Sequence, residues 1–219
     1  GFTAGTVTAT NNGAFNTTMT NLGAQVVDVQ QGGTVSMALA DASGLTDSLS
    51  INLKANTGET AVDRTIESIS AANIETINLD ASGLTGRNAY TVTTLTDGGS
   101  DALTTLNITG SSELDLSGTV TAGKLATINA STLTGRLSID GADAVAINQT
   151  ITGGTNIDTF TMAARLNNAD TIDGGDGVDV LSATTTDLTA TTGALNIANV
   201  ETINLTNAGT QVIDATNIT

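Results

Sequence analysis

The stretch NIETINLDASGLTG at 73–86 returns near the other end of the chain as NVETINLTNAGTQVIDAT at 199–216. The two share the stem N-φ-E-T-I-N-L, where φ is apolar. Between them lie LTTLNITG at 103–110 and LATINASTLTG at 125–135, whose T-φ-N cores begin at Thr105 and Thr127, 127 − 105 = 22 residues apart. A recurrence on that scale points to a solenoid or an array. Within each unit the apolar residues alternate at period two, as half-buried strands require: Leu49-Ile51-Leu53, Leu106-Ile108, Leu114-Leu116, Leu137-Ile139 and Val145-Ile147. Gly, Asn, Ser or Asp follows each burst, and these residues tolerate tight turns. Pro is absent, which suits strands held in continuous ladders, where Pro would delete a donor. The expected class is all-β, a right-handed parallel β-solenoid; an antiparallel sandwich with a few similar strands is the competing reading. At about 20 residues per turn and ~4.8 Å between stacked strands, the chain would make about ten turns, a rod of roughly 50 Å. The region before about residue 45 repeats less clearly. The expected division is therefore an irregular β cap or sandwich-like module over 1–64 and the solenoid over 65–219.

Composition narrows the functions. Twenty-two acidic residues stand against six basic ones, a formal charge of -16. Duplex binding relies on Lys and Arg to neutralise phosphates, so nucleic acid is excluded as a partner; an anionic membrane surface is disfavoured for the same reason. Divalent cations are the natural counter-charge. Without Cys there is neither a disulfide framework nor a thiolate zinc site, and without His the commonest general base is missing. The four aromatics are Phe2, Phe15, Phe160 and Tyr90, which leaves a core of Leu, Ile, Val and Ala suited to thin, layered packing. No signal peptide or membrane span is visible. Gly1 opens the chain without an initiator Met, as expected for a piece of a longer or processed protein.

The sharpest motif is GGDGVDVL at 174–181, which fits G-G-x-G-x-D-x-φ-x, the calcium-binding β-roll turn. Glycines allow a tight turn that aims carbonyls inward, the Asp adds a carboxylate, and the next apolar residue starts a strand. Calcium wants six to eight oxygens in a flexible cage, and stacked turns can supply them. A second copy, GGTNIDTFT at 153–161, has Asn156 at the fourth-position glycine and lies 174 − 153 = 21 residues upstream. Asn is a tolerant substitute there. One-turn spacing would stack the copies on one edge, where they could share Ca2+. Asp158 and Asp179 are the expected side-chain ligands. Gly153, Thr155, Gly174 and Asp176 are expected to offer backbone oxygens, and Asp170 and Asp173 to complete a shared site. Six Asp fall within this region, the sixth being Asp187. As solvated turn residues they would need no ion. TDGGSDAL at 96–103 and DGADAV at 140–145 are poorer echoes, read as ordinary turns.

From about residue 65 onward the chain resembles the repeat-in-toxin surface-layer proteins of Gram-negative bacteria. The resemblance rests on the two glycine–aspartate turns, the run ADTIDGGDGVDVL, the stem VETINL and the Cys-free, Thr/Ala/Gly-rich composition. It implies secretion by a type I system, folding outside the cell when calcium is present, and two-dimensional assembly over the outer membrane. The expected function is thus a structural surface-layer segment at the extracellular cell surface. Its partners would be copies of itself, with cell-surface polysaccharide engaged through another part of the protein and no membrane insertion. A stalk or spacer in a large secreted adhesin is the alternative. Catalysis is disfavoured, because Arg64, Arg87, Arg136, Arg165, Lys54 and Lys124 are scattered along the chain. Thr-rich runs such as TVTAT at 6–10 and TVTTLT at 91–96 suggest an ice-binding face, but Thr also has high β-propensity.

Overall fold

A computed structural model describes residues 6–9, 16–23, 25–30, 32–55, 58, 60–141, 147–163, 165–189 and 194–207. Four strands come first: β1 (Thr6–Ala9), β2 (Thr17–Leu22), β3 (Val26–Val29) and β4 (Thr34–Leu39). The middle holds β5 (Ser48–Leu53), β6 (Arg64–Ala71), β7 (Thr76–Ala81), β8 (Ala89–Thr96) and β9 (Thr105–Gly110). Next come β10 (Glu113–Leu116), β11 (Thr119–Thr121), β12 (Thr127–Leu133), β13 (Leu137–Asp140) and β14 (Thr150–Thr152). After β15 (Thr159–Ala163), β16 (Thr171–Asp173) and β17 (Val180–Ala183) there is one five-residue helix, α1 (Thr185–Thr189). The last strands are β18 (Asn196–Ala198) and β19 (Thr202–Leu205).

These strands form two parallel sheets. One runs β1-β3-β5-β7-β9-β12-β14-β16-β18, and the other β2-β4-β6-β8-β10-β13-β15-β17-β19 with β11 also paired to β8. The chain lays a strand on one face, turns a corner, lays a strand on the other and returns one step along the axis. This is a parallel β-solenoid, not a sandwich of antiparallel strands.

The alternation in the sequence fixes which residues point inward. Ile77, Leu106, Ile128, Ile151, Ile172 and Ile197 lie in one register column across the first face, each at most 4% exposed. Leu116, Ile139, Phe160 and Leu181 form the matching buried column on the second face. Burying a Leu- or Ile-sized side chain contributes about 1.5–3 kcal/mol, so repetition of these columns supplies the driving force. Outward on the first face stand Thr76, Thr105, Thr127, Thr150 and Thr171.

The ladders pass through residue 64, where a boundary was expected: β4 pairs with β6 and β5 with β7 in unbroken parallel register. Of the expected bursts, Leu49-Ile51-Leu53, Leu106-Ile108, Leu114-Leu116 and Leu137-Ile139 lie in strands. Ile147 does not, and Val145, like Asp143, Phe2 and Phe15, lies outside the described residues. No helix among the described residues is long and apolar enough to cross a membrane.

Candidate cation site at the stacked glycine–aspartate turns

The two glycine–aspartate turns stack position for position. Thr152 pairs with Asp173 on the first face and Thr159 with Val180 on the second, both offsets of 21 residues (173 − 152 and 180 − 159). Glycine is required because the coils touch. A Cβ on Gly153 would lie 2.1 Å from the Gly174 carbonyl oxygen, and one on Gly174 would lie 1.8 Å from that of Asn199. Gly177 adopts φ 143°, a backbone region closed to side chains.

Beneath these turns runs a column of acids, each just before a strand of the second face. Asp158 Oδ1 accepts the Leu137 N–H at 2.7 Å, Asp179 Oδ1 accepts the Asp158 N–H at 2.7 Å, and Glu201 Oε2 accepts the Asp179 N–H at 2.7 Å. Each carboxylate thus clasps the coil before its own. The same device serves the corners that lead into the first face: Glu75 Oε2 accepts the Asp47 N–H and Asp170 Oδ1 the Gln149 N–H, both at 2.7 Å. The glutamate of the recurring stem is therefore a corner clasp, and Asp158, Asp170 and Asp179 are its shorter equivalents.

The column has one unbalanced member. Asp158 is buried with both oxygens engaged, Oδ2 accepting the Gly154 N–H at 2.6 Å. Asp179 is equally buried, but its Oδ2 has no hydrogen-bond partner. The equivalent donor, the Gly175 N–H, goes instead to Asp173 Oδ1 at 3.1 Å, which also accepts from Asn199 Nδ2 at 2.7 Å. Burial raises the Asp158 carboxyl to about 6, with the Gly154 and Leu137 N–H groups opposing and the Asp179 charge adding to the rise. Burial also raises Asp179, against the hydrogen bond from Asp158 and together with the nearby Glu201 and Asp173 charges. Asp170 is raised by burial too.

Outside the turns lies a shallow recess of about 330 Å³. Gly153, Thr155, Asp173 and Asp176 of the expected set line it, with Gly154, Gly175 and Asn199. Asp158 and Asp179 lie under it, and Gly174 is buried against Asn199. Asp170 is not brought there; it sits at the corner before β16, where Oδ2 also accepts the Asn167 N–H at 2.8 Å. Asp187 caps α1 through Thr184. In the weaker echoes Asp97 Oδ1 accepts the Gly99 N–H at 2.9 Å, and Asp140 pairs with Arg165 at 3.3 Å. Among the described residues no three carboxylates converge closely enough to form a ready-made metal cluster. A cation at this corner would depend on carbonyl oxygens as well as on Asp. The orphaned Asp179 oxygen and the glycine-only turns above it fit such an ion. The sequence reading missed Glu201 and Asn199, although the E of the stem, at the same step before its strand as Asp179, is the signal that marks Glu201.

No protein-family model, curated protein or solved structure matches this chain.

Proposed function

We propose that this chain is a structural segment of a secreted bacterial surface layer, a non-catalytic rod that calcium stiffens and joins to copies of itself. The observation that carries the calcium reading is the buried, unpartnered Asp179 Oδ2 beneath two glycine–aspartate turns stacked one coil apart. A buried anionic oxygen without a donor is costly, and a cation or a proton removes that cost. Asp179 and Asp173, with carbonyl oxygens of Gly153 and Thr155, would hold the ion; it supplies positive charge to the corner and links successive coils. The surface-layer assignment draws on the sequence resemblance and on a net charge of -16, which keeps subunits apart until divalent ions neutralise them. A solenoid also ends in strands with free edges, which a lattice can pair.

Calcium titration, followed by thermal melting and electron microscopy, tests this reading. The melting midpoint should rise at about 0.1–1 mM calcium, the range of extracellular modules, and sheets or filaments should form and dissolve again in chelator. A midpoint indifferent to calcium would remove the ion from the account. A chain that is stabilised yet stays monomeric would be a stalk.

A further inference from the structure

On the same edge of the second face, three coils before the Asp179 turn, the fold gathers charges that look scattered in the sequence. Arg87 lies two residues before β8, Glu113 opens β10, and Arg136 immediately precedes β13; these three strands are neighbours in one sheet. Arg87 and Arg136, 49 residues apart in sequence (136 − 87), line one recess of about 250 Å³ with Glu113. Two of the six basic residues of a strongly acidic chain thus share one concavity. Both are exposed, and neither enters an ion pair among the described residues.

The rest of the lining has a definite chemistry. Ser111, Thr134 and Asn156 add hydroxyl and amide groups, and Ile157, 46% exposed, forms an apolar wall. Gly135 makes the floor possible, since a Cβ there would lie 1.9 Å from the Ser112 carbonyl oxygen.

We propose that this recess binds one carboxylated sugar residue of an acidic polysaccharide. Two guanidiniums can hold a carboxylate through charge-assisted, fork-like hydrogen bonds. Glu113 selects among anions: it opposes a simple inorganic anion but accepts hydrogen bonds from the hydroxyls of a sugar acid. The exposed Ile157 side chain meets the apolar C–H face of the ring. The volume, about 250 Å³, lies just below the usual ligand-pocket range of about 300–1,000 Å³, which suits a single sugar and not a long oligomer. This inference does not rest on the calcium reading, since the charged groups belong to other coils and binding needs no assembly. Asn156 and Ile157 belong to the first glycine–aspartate turn, so the two sites adjoin and binding is measured with and without calcium.

The test titrates the whole chain with methyl glucuronide, with methyl glucoside and inorganic phosphate as comparisons, each in calcium and in chelator. Two-dimensional NMR follows the arginine side-chain N–H signals and the backbone amides of Ser111, Gly135 and Asn156. Saturable shifts with methyl glucuronide are expected in the millimolar range, with methyl glucoside and phosphate each about ten-fold weaker, since one charge-assisted contact is worth roughly that factor. Arg87→Gln and Arg136→Gln should each weaken glucuronide about ten-fold while leaving signals elsewhere in place, the side chains being exposed. Four results would overturn the proposal: no saturable shift, glucoside binding as tightly as glucuronide, phosphate binding as tightly as glucuronide, or unchanged affinity in both arginine variants. Because calcium response and assembly are measured separately, loss of either leaves this result interpretable.

Discussion

Asp158 satisfies two backbone donors at once, the N–H groups of Leu137 and Gly154. Asp158→Ala orphans both in a buried setting, so a loss of about 2–6 kcal/mol is expected at about 1–3 kcal/mol for each unsatisfied group, read by urea unfolding. Its carboxyl is raised from 3.8 to about 6, so the folded chain holds this proton more tightly than the unfolded chain. Between pH 4 and 6 the unfolded state is ionised while the folded state still carries the proton. The stabilisation is therefore complete below about pH 4 and is lost as pH rises through 6, roughly 3 kcal/mol by linkage. Asp170 and Asp179, raised by burial, act in the same direction. In chelator the melting midpoint should climb as pH falls from 7.5 to 5, against the usual trend of acid unfolding, and calcium should flatten that slope. A midpoint that drops steadily on acidification would mean that these corners are ionised and content without a cation. Asp179→Asn, which keeps the shape and removes the charge, should lower calcium affinity while the calcium-saturated fold survives; wild-type affinity by calorimetry would make this turn structural alone.

At the scale of the element, the recurring stem reads as a corner. Asn73 and Asn199 open their copies in left-handed backbone, φ 57° and 52°, each Glu clasps the coil before it, and the T-I-N-L run is a strand. The copies serve different faces, β7 on the first and β19 on the second. One short sequence therefore builds both sides of the rod. That pattern was legible because side-chain alternation and stacking are local properties: the cores at Thr105 and Thr127 pair directly. Coil length was harder to read. It is 29 residues from Thr76 to Thr105 (105 − 76) but 21 from Thr150 to Thr171 (171 − 150), so self-similarity blurs toward the N-terminus although the sheets do not stop there. The same variability hid the pairing of Arg87 with Arg136. At the glycine turns the spelling gave the stacking, yet only the fold distinguishes acids aimed at backbone donors from acids open to an ion. Gly174→Ala tests how tightly the corner is built: a methyl 1.8 Å from the Asn199 carbonyl oxygen must displace the following coil. Overpacking of this kind costs about 1–3 kcal/mol, and hydrogen exchange should show faster opening at 196–205 than at 105–110.

For the whole molecule, each coil touches its neighbours along the axis and little else, so stability is a sum of nearest-neighbour steps. In chelator, unfolding should begin at the coils around 150–185, where like charges crowd beneath the turns, and hydrogen exchange there should slow when calcium is added. Equal exchange in calcium and chelator would place the weak point elsewhere. The parallel ladders described above have a mechanical consequence as well. Their hydrogen bonds run along the rod, so tension between the chain ends loads them one coil at a time and not all together. A stretched rod should lengthen in discrete jumps, each freeing a loop of 18–34 residues (35 − 17 and 68 − 34), or about 60–120 Å of extended chain. In single-molecule pulling that is a sawtooth of small teeth whose spacing follows the coil lengths. A skin built from such rods would give under sudden strain and re-form afterwards, behaving less like a rigid shell than like a fabric with built-in slack.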